Sequence, residues 1–142
     1  MAASFPTLFP RGFRLINGQA LNKLFNGPFS GLSVEDTITA KAGGTKAAAY
    51  QLTASLNRIS VCATATDSVK LHANPAPGSQ VTIINDGAQS AQVFGANNDT
   101  IDGVVTATGV AQAAAKRVDY YCLSVSSTGV AAWYSNAGTK TT

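Results

Sequence analysis

The sequence predicts an all-β protein: a small antiparallel β-sandwich or barrel, preceded by an extended N-terminal arm with one short helix. Three observations lead there. Charged residues make up only 12% of the 142 residues, about half the share of an ordinary soluble domain. Helix-rich domains solvate their outer faces with charged side chains, so this scarcity favours strands with small polar faces. From residue 47 onward, apolar positions recur every second residue in short runs separated by Pro-Gly, Asp-Gly and Thr-Gly turns. Finally, five of the six Phe lie upstream of those runs, among prolines.

The chain divides into an arm and connector over residues 1–45, a β-domain over 46–135 and a tail over 136–142. In the arm, Phe5, Phe9, Phe13, Phe25 and Phe29 are interleaved with Pro6, Pro10 and Pro28, which interrupt regular structure. One short helix is predicted from Gly18 to Phe25. Asn17 serves as its N-cap, Leu21, Leu24 and Phe25 share a face, and Asn26-Gly27 ends it. Arg11, Arg14 and Lys23 lie here with no acidic residue before Glu35. A basic segment studded with Phe cannot bury its own apolar groups, so it is expected to lie on something else: its own domain, a sister subunit or, in the favoured reading, a larger partner. The span 33–46, "SVEDTITAKAGGTK", reads as a connector that ends in a flexible Gly-Gly.

The strand runs follow in order. "AAYQLTA" sets Ala48, Tyr50 and Leu52 on one face. "NRISVCA" alternates Ile59, Val61 and Ala63 against Arg58, Ser60 and Cys62, and "DSVKLHA" sets Val69 and Leu71 against Lys70 and His72. "SQVTIIN" and "SAQVFG" flank Asp86-Gly87, which is expected to close a hairpin between them. "TIDGVVTA" holds a second Asx-Gly turn at Asp102-Gly103, and "KRVDYYCLSV" and "VAAWYS" complete the set. The Ala-rich "ATGVAQAAAKR" resembles a helix, but it is short, follows Thr-Gly and has β-branched neighbours, so a strand or loop is expected.

Few residues offer chemistry. Asp86, Asp99 and Asp102 could form a carboxylate site, yet their places beside Gly and Asn are those of turn-making residues. Calcium would need a denser acidic spacing than "NNDTID" supplies. His72, the only His, ends a strand just before "NPAPG" and is expected to face solvent rather than to act as a base. No GxSxG elbow, phosphate loop or dinucleotide fingerprint is present. Cys62 and Cys122 lie inside strand runs and are expected to be buried free thiols. With one His and no CxxC spacing, neither a metal nor another cofactor is expected.

The net charge of +3 is spread along the chain without a basic-aromatic groove, so no nucleic-acid partner is expected. No apolar run reaches the length of a membrane span, and "MAASFPTLFPRGF" lacks the apolar core of a secretory signal. Trp133 and Tyr134, with Tyr120 and Tyr121, could stack on a sugar. Alternation along strands instead puts Trp133 and one Tyr of each kind in the core.

The frame "DSVKL", "PG", "VTIINDGA", "VF", "DTIDG" and a closing aromatic pair resembles a β-domain recurrent in structural proteins of tailed double-stranded DNA bacteriophages. The resemblance covers roughly residues 47–135, with a looser likeness at "PRGFRLINGQALNKL". Members include capsid decoration (cement) proteins and head- or tail-fibre components. The resemblance implies no enzymatic activity and a virion structural protein that binds the major capsid protein on the outer shell and assembles as a homotrimer. Phe5, Phe9, Arg11, Phe13, Arg14, Leu21, Leu24, Phe25 and Phe29 are the expected capsid contacts. A fibre or spike component that binds a host-surface glycan is the alternative.

Overall fold

In the computed structural model, which describes residues 33–105 and 107–138, the chain is all-β and forms two sheets. The expected arm residues 1–32, with the helix over 18–25 and every expected capsid contact, lie outside the described residues. Ten strands follow in order: β1 (Val34–Thr39), β2 (Tyr50–Gln51), β3 (Leu56–Val61), β4 (Ser68–Lys70) and β5 (Gln80–Asn85). The remainder are β6 (Ala91–Phe94), β7 (Thr100–Ile101), β8 (Val110–Gln112), β9 (Lys116–Val125) and β10 (Ala131–Gly138). The larger sheet has the order β1-β3-β5-β9-β10-β7 and the smaller β2-β4-β6-β8.

Through β6 the chain alternates strictly between sheets, so each crossover in one sheet is a strand of the other. The result is three stacked circuits, β1-β2, β3-β4 and β5-β6, joined by parallel pairs in both sheets. This corrects the expectation of an antiparallel arrangement. Among the described strands the antiparallel pairs are β5-β9, β6-β8 and β9-β10, which close the stack, and β7 pairs parallel with β10 at the sheet edge. A period-2 pattern reports that a strand has one buried face; it does not say which neighbour the strand pairs with.

Parallel stacking places equivalent residues over one another. Tyr50, Val69, Val93 and Val110 are successive register partners across the smaller sheet. Asn57, Ile83 and Val118 form a comparable row on the inner face of the larger one. Between the sheets lies one core containing Ile59, Leu71, Val81, Ile83, Tyr120 and Trp133. Trp133 is fully buried, and truncating such a side chain costs about 3–5 kcal/mol. The span expected as a connector contributes β1, and the unit that holds both sheets begins at Ser33. β10 likewise continues past the boundary expected at residue 135. The Ala-rich segment is a short strand, β8, and a turn, as expected.

Along β3 the expected alternation ends at Ile59. Val61 is exposed and Cys62 is buried, because the chain turns there towards the other sheet. That corner explains the first Asp-Gly. Asp86-Gly87 does not close a hairpin, since β5 and β6 belong to different sheets. It is a corner stacked on the one below: Asp86 N donates to Ile59 O at 2.9 Å and Gln89 N to Cys62 O at 3.1 Å. Neither Asp86 nor Gly87 has a positive φ. Glycine is required by proximity instead, because a Cβ at position 87 would sit 2.4 Å from Cys62 Cβ and 2.6 Å from Cys62 N.

Gly87→Ala should therefore destabilise the domain by about 2–4 kcal/mol, the scale of a severe overpacking change. Adding Cys62→Ala should not rescue it, because the clash is with Cβ and backbone rather than with sulfur. Urea unfolding of the two variants checks both statements.

Candidate functional site

Asp67, Asp99 and Asp102 accept hydrogen bonds from backbone amides. Asp102 and Gly103 have φ of 51° and 74°, the paired left-handed conformation of a two-residue turn. Val104 N donates to Ile101 O at 2.8 Å across it. This second Asp-Gly redirects the chain as expected. The Asp102 carboxylate also accepts from Ser135 N at 2.8 Å and Ser135 Oγ at 2.5 Å, pinning the turn to β10. Asp99 is fully buried and accepts from Ala131 N at 2.8 Å. Asp86 is exposed and lies 3.5 Å from Arg58, which also pairs with Asp36. The three acids of this region thus hold separate places in the fold and do not converge.

Asp67 is a corner clamp that sequence reasoning missed. It accepts from Thr64 Oγ1 at 2.6 Å, Thr64 N at 3.1 Å and Ala63 N at 2.8 Å. The Thr64 hydroxyl, then the Thr64 and Ala63 amides, hold its carboxyl below the usual carboxylate range. The signal was present in "TATD", where a Thr three residues before an Asp allows a local side-chain bond. His72 is half-buried, with Nε2 2.8 Å from Ala54 O. Glu35 accepts from the Tyr50 hydroxyl and, at 3.2 Å, from Thr53 Oγ1, joining the two sheets at the open end of the stack. The Glu35 contact and partial burial push the Tyr50 phenol up.

At the closed end is a buried amide network. Gln112 Nε2 donates to Ile83 O and to Lys116 O, both at 3.0 Å, while its Oε1 accepts from the Tyr120 hydroxyl at 3.1 Å. Asn85 Nδ2 donates to Gln89 O at 2.9 Å and Gln112 O at 3.1 Å, and Asn85 Oδ1 accepts from Gly87 N at 3.1 Å. These side chains satisfy backbone groups where strands end, the requirement on any buried polar group. Burial pushes the Tyr120 phenol up, so it stays a neutral donor.

Cys62 and Cys122 are buried and free, as expected. Burial pushes both thiols up, and Asp67 adds to the effect at Cys62. A raised thiol is a poor nucleophile at neutral pH. Beside β7, Gly95, Asp99, Val105 and Val110 line a shallow recess that is partly open to solvent and has no interior room for a water molecule. Among the described residues, no three His, Cys, Asp or Glu gather into a set that could hold a metal ion, and no helix is long and apolar enough to cross a membrane.

The aromatic residues divide as alternation requires. Trp133 and Tyr120 are core residues, whereas Tyr134 is 49% exposed and Tyr121 is partly exposed. Tyr121 and Tyr134 are direct register partners on β9 and β10, and Gln80 of β5 faces Tyr121 from the other side. The next row on this outer face is Thr82, Asp119 and Asn136. Asp119 accepts from Thr82 Oγ1 at 2.6 Å and from Arg117 at 3.2 Å. Residue types alone could not align Tyr121 with Tyr134, because the alignment depends on the register of β9 and β10.

The Asp67 clamp gives a pH dependence. Its folded pKa lies below its unfolded value of about 3.9, so its contribution is present above about pH 4 and is lost as pH falls through the folded value. The melting-temperature gap between the native chain and Asp67→Asn should be full at pH 6 and should narrow steadily below pH 4. Circular-dichroism melts across that range measure it.

Compared with protein-family models, with curated proteins and with solved structures, the chain matches none of them.

Proposed function

We propose that the chain is a virion structural protein, a capsid decoration protein that binds the major capsid protein through its N-terminal arm. The observation that carries this reading is a division of labour along the chain. In the β-domain, the side chains with catalytic potential already have structural partners: Asp67 in a corner, Asp99 on Ala131, Asp102 on Ser135 and His72 on Ala54. The two thiols are buried and their pKa values are raised. Upstream, Phe5, Phe9, Phe13, Phe25 and Phe29 accompany Arg11 and Arg14 with no acidic residue among them. Aromatic and Arg side chains are the residue types that dominate interface energies.

Such a protein needs little chemistry and a stable domain repeated many times over a shell. The resemblance of residues 47–135 to phage decoration and head-fibre proteins adds the outer capsid surface as the location, with assembly in the host cytoplasm, and a homotrimer as the assembly. The domain then stands on the shell while the arm makes the attachment.

Replacing Phe9, Arg11 and Phe13 together by Ala in the full chain should weaken binding to purified capsid shells by about 100-fold or more. The oligomeric state and melting temperature should not change. Co-sedimentation with shells and analytical ultracentrifugation make the comparison, and unchanged shell binding would sink the assignment of the arm.

A further inference from the structure

The outer face of the larger sheet carries a feature that attachment through the arm does not use. Tyr121 and Tyr134 stand side by side on β9 and β10, directly opposed in register. Cβ atoms at directly opposed antiparallel positions are about 5 Å apart, so the two side chains rise from adjacent points of the same face. Around them are planar polar groups: Gln80 at the exposed end of β5, Asn136 on β10, and Asp119 with Arg117 on β9. Asp119 is fixed from two sides, by Thr82 and by Arg117.

We infer that this face is a carbohydrate-binding platform for a neutral oligosaccharide, with Tyr121 and Tyr134 stacking on sugar rings and Gln80, Asn136 and Asp119 hydrogen-bonding their hydroxyls. The chemistry selects that occupant. Tyr rings present large, rigid apolar faces with a polar edge, which match the C–H face of a pyranose. The amides of Gln80 and Asn136 both donate and accept, as vicinal hydroxyls do. Arg117 and Asp119 neutralise one another at 3.2 Å, so the platform has no unpaired charge among these residues to attract an ionic ligand. A protein partner is the poorer match. A stable interface needs an apolar centre of several hundred Å² on each side, whereas the apolar surface beside the Tyr pair is the exposed Leu123 and the half-buried Leu56, and the rest of the adjoining row is Thr82, Asp119 and Asn136. Covering the Arg117–Asp119 pair with apolar surface would carry a desolvation cost. Hydroxyl groups can replace water there without that cost.

The inference rests on the sheet face alone and is independent of capsid attachment. The full chain is titrated with cellohexaose, maltohexaose and chitohexaose, and with heparin as an anionic comparison. Saturable binding of at least one neutral hexasaccharide is expected. Tyr134→Ala and Tyr121→Ala should each weaken it by about tenfold or more, and Tyr134→Phe by no more than about threefold, with unchanged melting temperatures. The platform is refuted if no hexasaccharide binds up to about 10 mM, or if both Ala variants bind as the native chain does. Binding of heparin alone would overturn the neutral ligand. Self-association abolished by Tyr134→Ala, without sugar binding, would assign the face to a second copy.

Discussion

Buried amides hold the point at which parallel circuits give way to antiparallel strands, and the rest of the domain depends on that junction. A parallel stack can in principle continue indefinitely, because each circuit offers the next the same row of backbone groups. Ending it requires a strand that reverses direction in each sheet, β8 over β6 and β9 over β5. Gln112 and Asn85 make the reversal possible. One Gln side chain bonds the carbonyls of Ile83 and Lys116 as well as the Tyr120 hydroxyl. Without it, several polar groups would be left unpaired in the core, each costing about 1–3 kcal/mol. Tyr120, bonded to Gln112, carries the junction into β9, and Tyr120 and Trp133 both belong to the core.

Much of the fold was legible in the residues, and the limits have physical causes. Period-2 patterning identified most of the strands and the core position of Trp133, because burial of one strand face is a local property; it put Cys62 on the wrong face, because the chain turns at the end of β3. Pairing direction is not local. A run such as "VTIIN" satisfies the same pattern whether its neighbour is the next strand in sequence or the one a full circuit earlier. Two identical dipeptides make the point. Asp102-Gly103 is a left-handed two-residue turn between Ile101 and Val104. Asp86-Gly87 keeps ordinary backbone angles, and its glycine is dictated by a neighbour 25 positions away, Cys62. The first reason for glycine can be found in the dipeptide, while the second exists only once the corners are stacked.

The candidate surface shows the same division. Alternation indicated that one Tyr of each neighbouring pair faces outward. Only the register of β9 with β10 brings Tyr121 against Tyr134, and a bulge near Ala132 and Trp133 contributes to that register. The acids that looked like a site in sequence are dispersed: Asp86 lies beside Arg58, while Asp99 and Asp102 bond separate positions on β10, Ala131 and Ser135. The functions proposed for this chain rest on its outer sheet face and on the arm.

The late position of the closing strands has a consequence for synthesis. Proteins emerge from the ribosome N-terminus first, and β8 and β9 are made only after all three parallel circuits. Until then the nascent chain presents the open edges of β5 and β6, two rows of unpaired backbone groups of the kind that recruit other chains. Each copy of the chain would pass through this vulnerable interval, which ends when β8 and β9 are laid on those edges.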